Sequence, residues 1–350
     1  MNLGLNKIKG GLGLVAATLL GGVIAACTIE PTPDKAATLT LEIFVAEPEE
    51  INVTSALIMG PSEMMVVSAQ GTKSAATRLA DRIEATGLDL RYIVLTHPHL
   101  DHSQGAGILL ERFPNAEFVT TPEIAFVQKH RMAIDDVFAK ARYGDNAAIP
   151  SVPAQAYRDD TFLIDGESVE IWPDIIGDIG LGNLTEPHVA LYVPSLHALI
   201  PSDVVYYNGH VMTGGSSAEH RAKWIAQLDD WLARDFAIVV PGHMPKTSAD
   251  DLTAVGALSH TRNYVAAYDR ALAAADASQA VIAQLLAEFP ELQHPTALYL
   301  SAFIDFQEMR NLSFDPADKV FDEGLTDAEI AEIDRQKFEA FRAAYNPGEN

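Results

Sequence analysis

The apolar positions of this chain change their period twice. From residue 38 onward, short apolar runs alternate with turn residues, which is typical of strands. Leu79 and Ile83 then stand four residues apart, as on one face of a helix. Strands are predicted at 38–45, 52–59, 64–69, 91–95, 117–120, 161–172 (a hairpin), 189–193, 198–201 and 237–240, and helices at 73–86, 105–113, 122–140 and 217–234.

The second change comes near residue 247, where the pattern becomes helical to the end of the chain. Helices are predicted there at 247–274, 277–288, 295–310 and 325–345, whereas 144–160 is predicted as a loop. The order of elements is β runs, then strand–helix alternation, then β runs again. This order predicts an α/β fold of two sheets with helices outside, followed by a C-terminal helical region.

A histidine-rich motif follows the buried strand predicted at Arg91–Leu95. Residues two apart in extended chain point to the same side, so His97 and His99 can aim two imidazoles at one point. Asp101 and His102 follow as the chain turns and can serve a second point nearby. Imidazole and carboxylate ligands of this kind suit zinc, with positions left open for water.

Two more polar residues, Asp203 and His243, directly follow short apolar strands. A site at one edge of the sheets would collect them together with the motif. The chain resembles the metallo-β-lactamase superfamily over about residues 40–245. The resemblance is carried by His97-x-His99-x-Asp101-His102, Pro201-Ser202-Asp203 and Val239–His243. The resemblance implies an αββα four-layer sandwich. It also implies two metal ions, expected to be zinc with manganese or iron as alternatives, held by His97, His99, Asp101, His102, His188, Asp203 and His243.

The sequence departs from the family pattern at two places. The family has a histidine ligand before the 189–193 strand, and ungapped spacing from Asp203 puts Leu184 there. Either the loop is re-routed so that His188 reaches the metal, or the first metal site is incomplete. Related enzymes also carry a supporting aspartate near Ser68, which has no charge, so weaker metal affinity is expected.

The chemistry that the resemblance implies is hydrolysis by a metal-bound hydroxide. Asp101 is expected to orient the water and carry its proton. In this family, the β-lactamases with the best-known dizinc sites have Cys or Ser at the position of Asp203, so the aspartate argues against a β-lactam as the main substrate. Tyr206, three residues later and next to Tyr207, resembles a substrate-binding tyrosine of quorum-quenching lactonases. A carboxylic ester or lactone is therefore the first expectation, with β-lactam, thioester and small phosphodiester hydrolysis as alternatives.

Two features near the site remain open. His210 leaves the same strand end as Tyr206 and is expected either to rim the substrate pocket or to be an ordinary surface histidine. The helical tail resembles an appended region of some bacterial members. It is expected to cap the active site, to mediate a homodimer, or to pack on the outer helices, with His260 and His294 in structural roles.

The charge balance removes one class of partner. The chain has 48 acidic against 24 basic side chains and a net charge of −24, with no basic cluster. Such a surface repels phosphate backbones, so nucleic acid is not an expected partner and a small-molecule substrate is.

The N-terminus resembles an export signal. Residues 1–26 combine two lysines with an uncharged apolar run, and Ile24–Cys27 resembles the lipobox of bacterial lipoproteins. Cys27 is the single cysteine, so it is the predicted lipidation site and no internal disulfide can form. The expected organisation is a signal at 1–26, a tether at 27–37, the metal-binding domain at 38–246 and the helical extension at 247–350. The expected location is the periplasm, anchored to the outer membrane.

A hypothesis from a different class is a non-catalytic binding or relay lipoprotein built on a hydrolase scaffold. The departures at Leu184 and Ser68 motivate it. Metal content and turnover of generic substrates distinguish it from an enzyme.

Overall fold

The computed structural model describes residues 39–180 and 186–308. The predicted signal, Cys27 and the tether lie outside these residues. Leu184 and the helix predicted at 325–345 lie outside them as well.

The first sheet has six strands that follow one another in chain order. Its first three strands pair antiparallel, and the remaining pairings are parallel. Parallel neighbours require crossovers, and the intervening helices supply them. The strands are β1 (Thr40–Val45), β2 (Thr54–Met59), β3 (Glu63–Val67), β4 (Asp89–Val94), β5 (Glu117–Thr120) and β6 (Gln155–Ala156).

The second sheet has five strands, and these also follow one another in chain order. Three antiparallel pairings join its first four strands, and the last two strands pair in parallel. The strands are β7 (Thr161–Ile164), β8 (Glu167–Ile175), β9 (His188–Val193), β10 (Ala198–Tyr206) and β11 (Ile238–His243).

Eight α-helices surround the sheets within the described ranges. They are α1 (Lys73–Glu84), α2 (Leu100–Ser103), α3 (Ala106–Arg112), α4 (Pro122–Tyr143), α5 (Ala218–Leu232), α6 (Ala254–Ala274), α7 (Ser278–Glu288) and α8 (Pro295–Asp305). Short 3₁₀ turns occur at Pro48–Glu50, Gly144–Asn146, Pro194–Leu196 and Lys246–Ser248. No helix among these residues has both the length and the apolar content needed to span a membrane.

The apolar run of β3 explains the layering. Met64 and Val66 pack with α1 and α3, whereas Met65 and Val67 pack against the second sheet. Successive side chains of a strand point to opposite faces, so a continuous apolar strand is buried on both sides. The result is helix, sheet, sheet, helix. This confirms the predicted α/β fold of two sheets with helices outside.

The outer face of the second sheet is covered by α5 and by the C-terminal helices. Val205 of β10 and Trp224 of α5 share one buried cluster with Tyr264 of α6 and Leu298 of α8. The C-terminal helices therefore contribute to the same core as the strands that lead to Asp203.

Several predicted elements differ from the structure. α6 begins at Ala254 rather than near 247, because the Thr253 side chain caps it by accepting from the Gly256 amide. β6 lies inside the predicted 144–160 loop; its two residues give too short a pattern to recognise. β10 runs on to Tyr206, and all nine of its residues are buried.

Replacement of Leu298 by alanine tests the shared core. Leu298 is fully buried, so we expect Leu298→Ala to lower the free energy of unfolding by about 2–5 kcal/mol. Val255→Ala on the exposed side of α6 is the control and should change it by less than about 0.5 kcal/mol. Urea denaturation measures both. Equal small effects would show that α8 does not stabilise the domain.

Candidate metal centre

Three strands bring the predicted ligands to one edge of the two sheets. His97 and His99 follow β4, Asp203 lies within β10, and His243 is the last residue of β11. The Val189 amide donates to the Thr96 carbonyl (2.9 Å), which joins the two sheets beside the motif. The sequence-predicted ligands are therefore collected at one place, except for His188.

One group of side chains surrounds a point between Asp101, His102, Asp203 and His243. The Nε2 atom of His243 lies 3.4 Å from Asp101 Oδ2 and 3.3 Å from His102 Nε2. His102 Nε2 lies 3.0 Å from Asp203 Oδ1. A tetrahedral zinc ion with bonds of about 2.0–2.1 Å holds its ligand atoms about 3.3 Å apart. The donors of this group are spaced to hold such an ion.

A second group consists of His97, His99 and Asp203. Asp203 Oδ2 lies 3.2 Å from His97 Nε2 and 3.4 Å from His99 Nδ1. Asp203 belongs to both groups, so its carboxylate is placed to bridge two ions. Three protein ligands leave a position open, as catalytic zinc sites do.

The electrostatics of the site also fit cations. Burial alone would raise the pKa of Asp203, but the surrounding histidines hold it well below its usual value. Asp203 Oδ1 and His97 Nε2 are buried and make no hydrogen bond of normal geometry with any described residue. Burial of an unsatisfied polar atom costs free energy. Metal ions held by the two groups would satisfy both atoms.

The outer ring nitrogens of the histidines are held by hydrogen bonds. The Nδ1 atom of His97 lies 3.1 Å from Thr96 Oγ1, and that of His102 lies 2.6 Å from Ser68 Oγ. His243 Nδ1 donates to the Ile51 carbonyl at 2.8 Å. Such contacts fix the tautomer and direct Nε2 inward. Ser68 therefore occupies the supporting position expected of it, without a charge.

His188 is not brought into either group. It is buried beside the site, and its ring stacks on that of His97 with centroids 4.8 Å apart. Its Nε2 donates to the Asp178 carbonyl at 2.7 Å, which turns that nitrogen away from the metal position. The structure therefore does not support the predicted ligand role of His188.

Backbone features bring Asp203 and the motif into place. Ser202 has a φ of 50°, and the pairing of β10 with β11 shifts register on both sides of it. Such an irregularity re-aims the following side chain. Gly242 is required opposite, because a Cβ there would lie 1.9 Å from Asp203 Oδ1. Gly105 plays a similar part after the motif, where a Cβ would lie 2.1 Å from the Ala69 carbonyl oxygen.

A cavity opens onto the metal centre. His99, Asp101, Asp203 and His243 line it. The rest of its surface is mainly apolar and includes Ile51, Leu100, Phe138, Met212, Ala297 and Leu300, with Arg131, Arg142 and Tyr143 also lining it. Two of these residues belong to α8. The described part of the helical tail therefore completes the cavity, one of the three roles predicted for it.

Tyr206 lines the cavity but is fully buried. Its hydroxyl donates to Asp178 Oδ2 at 2.6 Å and lies 3.4 Å from Asp203 Oδ2. Its ring stacks on His243, with centroids 5.1 Å apart. Tyr206 is therefore placed to hold Asp178 next to the metal centre.

Two predictions about histidines of the tail and its neighbourhood need correction. His210 does not line the cavity; it is fully buried, with Nδ1 3.0 Å from the Tyr264 hydroxyl. His294, expected to be structural, does line the cavity and stacks on His243 with centroids 5.3 Å apart. His260 donates to the Gly209 carbonyl, in agreement with a structural role.

Sequence reasoning missed two acidic residues of the site. Asp178 and Glu186 lie 3.5 Å and 2.9 Å from His99 Nε2, and both are buried. Against the effect of burial, these carboxylates hold the pKa of His99 well above its usual value. Each is a single acid in a loop without motif spacing, so no pattern in the sequence indicates either of them.

Comparison with known proteins agrees with this arrangement. The sequence profile of the Metallo-beta-lactamase superfamily matches residues 69–243, half of the chain. The chain therefore belongs to the metallo-β-lactamase superfamily. Hydroxyacylglutathione hydrolases of Brucella ovis and Brucella abortus are 27% identical over 210 residues, covering 54% of this chain and 77% of theirs.

Two solved structures share the fold. A metallo-beta-lactamase family protein from Thermus thermophilus has a TM-score of 0.51 at 18% identity, over 78% of this chain and 93% of its own. A beta-lactamase domain protein from Burkholderia ambifaria has a TM-score of 0.54 at 14% identity, over 77% of this chain and 85% of its own. At these identities the likeness concerns the fold alone.

Replacement of Ser68 by alanine tests its support of His102. The variant removes the 2.6 Å contact to Nδ1, so we expect the affinity for one zinc ion to fall roughly 10- to 100-fold. Competition with a chromophoric chelator measures this. Ser62→Ala, an exposed serine before β3, is the control. Unchanged affinity in Ser68→Ala would show that the hydroxyl does not support the metal ligand.

Proposed function

We propose that this protein is a metal-dependent hydrolase of carboxylic esters in the broad sense, which includes oxygen esters, lactones and thioesters, in small and partly apolar substrates. The observation that carries the proposal is Asp203, whose carboxylate joins two ligand groups at the floor of a mainly apolar cavity. Membership of the superfamily supports metal-dependent hydrolysis in general.

Three features favour an ester or thioester bond. The 27% identical Brucella relatives are named as hydroxyacylglutathione hydrolases, which supports including thioesters. An aspartate at 203 departs from the Cys or Ser that the resemblance associates with β-lactam hydrolysis. The apolar cavity walls suit an uncharged acyl group better than a phosphodiester.

Zinc ions held by the two groups would polarise the acyl carbonyl and lower the pKa of bound water. The chain's own residues position the reaction. The histidines around Asp101 keep the pKa of its carboxylate low, against the effect of burial, so it is ionised and can accept a hydrogen bond from water. Asp101 also lines the cavity, where it can pass a proton to the leaving group.

Tyr206 contributes indirectly in this proposal. Its hydroxyl hydrogen is directed to Asp178 Oδ2, so it is not presented to a substrate carbonyl as in the lactonase comparison. The resemblance at Tyr206 therefore gives lactones no preference over other esters.

We also propose that the protein is exported and lipidated at Cys27, with residues 28–37 as a tether to the outer membrane. The support is the lipobox-like sequence Ile24–Cys27 and the absence of other cysteines. Radiolabelled palmitate incorporation tests this, with Cys27→Ser as the variant expected to lose the label.

A substrate panel tests the enzymatic proposal. Full-length protein loaded with zinc is assayed with an aryl ester, an acyl lactone, an S-acyl glutathione, a β-lactam and a bis-aryl phosphate. We expect turnover of one or more of the first three and much slower turnover of the last two.

Replacement of Asp101 by asparagine tests whether its carboxylate is required for hydrolysis. Asp101→Asn removes an anionic ligand and the proton acceptor, so kcat/KM should fall roughly 10²- to 10⁴-fold. Asp145→Asn, an exposed carboxylate paired with Lys140, should retain full activity. Full activity of folded Asp101→Asn would contradict the proposal. Lack of turnover of the whole panel by metal-loaded protein would instead favour the non-catalytic binding function.

A further inference from the structure

The metal group formed by His97, His99 and Asp203 lacks a third imidazole among the described residues. His188 makes a backbone hydrogen bond instead. The orientation of His99 in this group therefore depends on the side chains that contact the side of the ring turned away from Asp203.

Glu186 contacts the far side of the His99 ring. Its Oε2 atom lies 2.9 Å from His99 Nε2, which is an ion-pair distance without the geometry of a normal hydrogen bond. His99 Nδ1 lies 3.4 Å from Asp203 Oδ2. The two nitrogens of an imidazole point away from each other. Glu186 therefore lies opposite the metal position and attracts the proton of Nε2, which leaves the lone pair of Nδ1 free for a metal.

Glu186 is itself fixed by α4. Its Oε1 atom lies 2.5 Å from Nη1 of Arg131, and Arg131 Nε lies 3.2 Å from Asp135 Oδ2. Arg131, Asp135 and Glu186 are each at most 5% exposed. Buried charges of this kind are stable only when paired, so the carboxylate has one preferred position.

We propose that Glu186 is a positioning residue for the metal centre, which fixes His99 with Nδ1 toward the metal, and that Arg131 of α4 fixes Glu186 in turn. A carboxylate beside the outer nitrogen of a ligating imidazole also raises the basicity of the imidazole. Glu186 and Arg131 thus support the metal group of His97, His99 and Asp203, to which the described residues supply two imidazoles rather than three. The proposal depends on metal binding and not on which bond the protein hydrolyses.

Zinc titration of the Glu186→Gln variant tests the proposal without any assay of turnover. Glutamine has the size of glutamate but no charge, so we expect the affinity for one zinc ion to fall roughly 10- to 100-fold and that for the other to stay within about twofold. The d–d absorption of the cobalt-substituted protein should change for one ion alone. Asp136→Asn, a neighbouring carboxylate of α4 bonded to Ser151, is the matched control and should leave both affinities unchanged.

Comparison with Ser68→Ala separates the two ions. Ser68 supports His102 of the other group, so the two substitutions should weaken different ions, and the double variant should weaken both. If Glu186→Gln retains both affinities and the cobalt spectrum, the proposal is wrong. Equal weakening of both ions would mean a general structural effect and would also overturn it.

The zinc-loaded protein with unchanged Glu186 gives a test that does not depend on the stability of Glu186→Gln. Long-range ¹H–¹⁵N NMR spectra distinguish the two ring nitrogens, and the His99 signals are assigned by their loss in His99→Asn. We expect a protonated Nε2 and a metal-shifted Nδ1. A protonated Nδ1 with a metal-shifted Nε2 would overturn the proposal. Neither outcome depends on whether esters are hydrolysed.

Discussion

Burial of the Asp203 carboxylate is the constraint on which the site depends. Asp203 is 1% exposed. Its carboxylate lies within 3.4 Å of ring nitrogens of four histidines, His97, His99, His102 and His243. A buried carboxylate is stable only beside positive charge. Two metal ions would provide this charge and join strands from both sheets. The sharp bend at Ser202 and the missing Cβ of Gly242 are the local adjustments that bring it there.

Much of the fold could be predicted from the sequence, because continuous apolar runs such as that of β3 indicate strands buried on both faces. Such strands require layers on both sides of the sheet. The same holds for the motif from His97 to His102, where the ligands are close in sequence and the strand end fixes their directions. The predicted start of α6 was wrong because the helical period of apolar residues continues across the turn before Thr253. The cap that decides the boundary is a single hydroxyl.

The loop before β9 could not be predicted for a different reason. His188 had the expected residue type, but its direction depends on a backbone carbonyl of residue 178, ten positions away. Glu186 could not be recognised because its partners, His99 and Arg131, come from distant parts of the chain. Side chains that support ligands are selected by three-dimensional contacts, and these leave no regular spacing in the sequence.

The described C-terminal helices link stability to the site. α8 packs in the core cluster of the second sheet and also forms a wall of the cavity, where His294 stacks on His243. The cavity is thereby connected to the region that lies beyond the family match at residues 69–243.

Zinc content is the most direct test of the shared Asp203 carboxylate. Full-length protein is dialysed against buffer with trace zinc and analysed for metal and protein, beside the Asp203→Asn variant. The account predicts about two zinc ions per chain in the unmodified protein and less than one in the variant. One ion or none in the unmodified protein, or two ions retained without the Asp203 carboxylate, would contradict it.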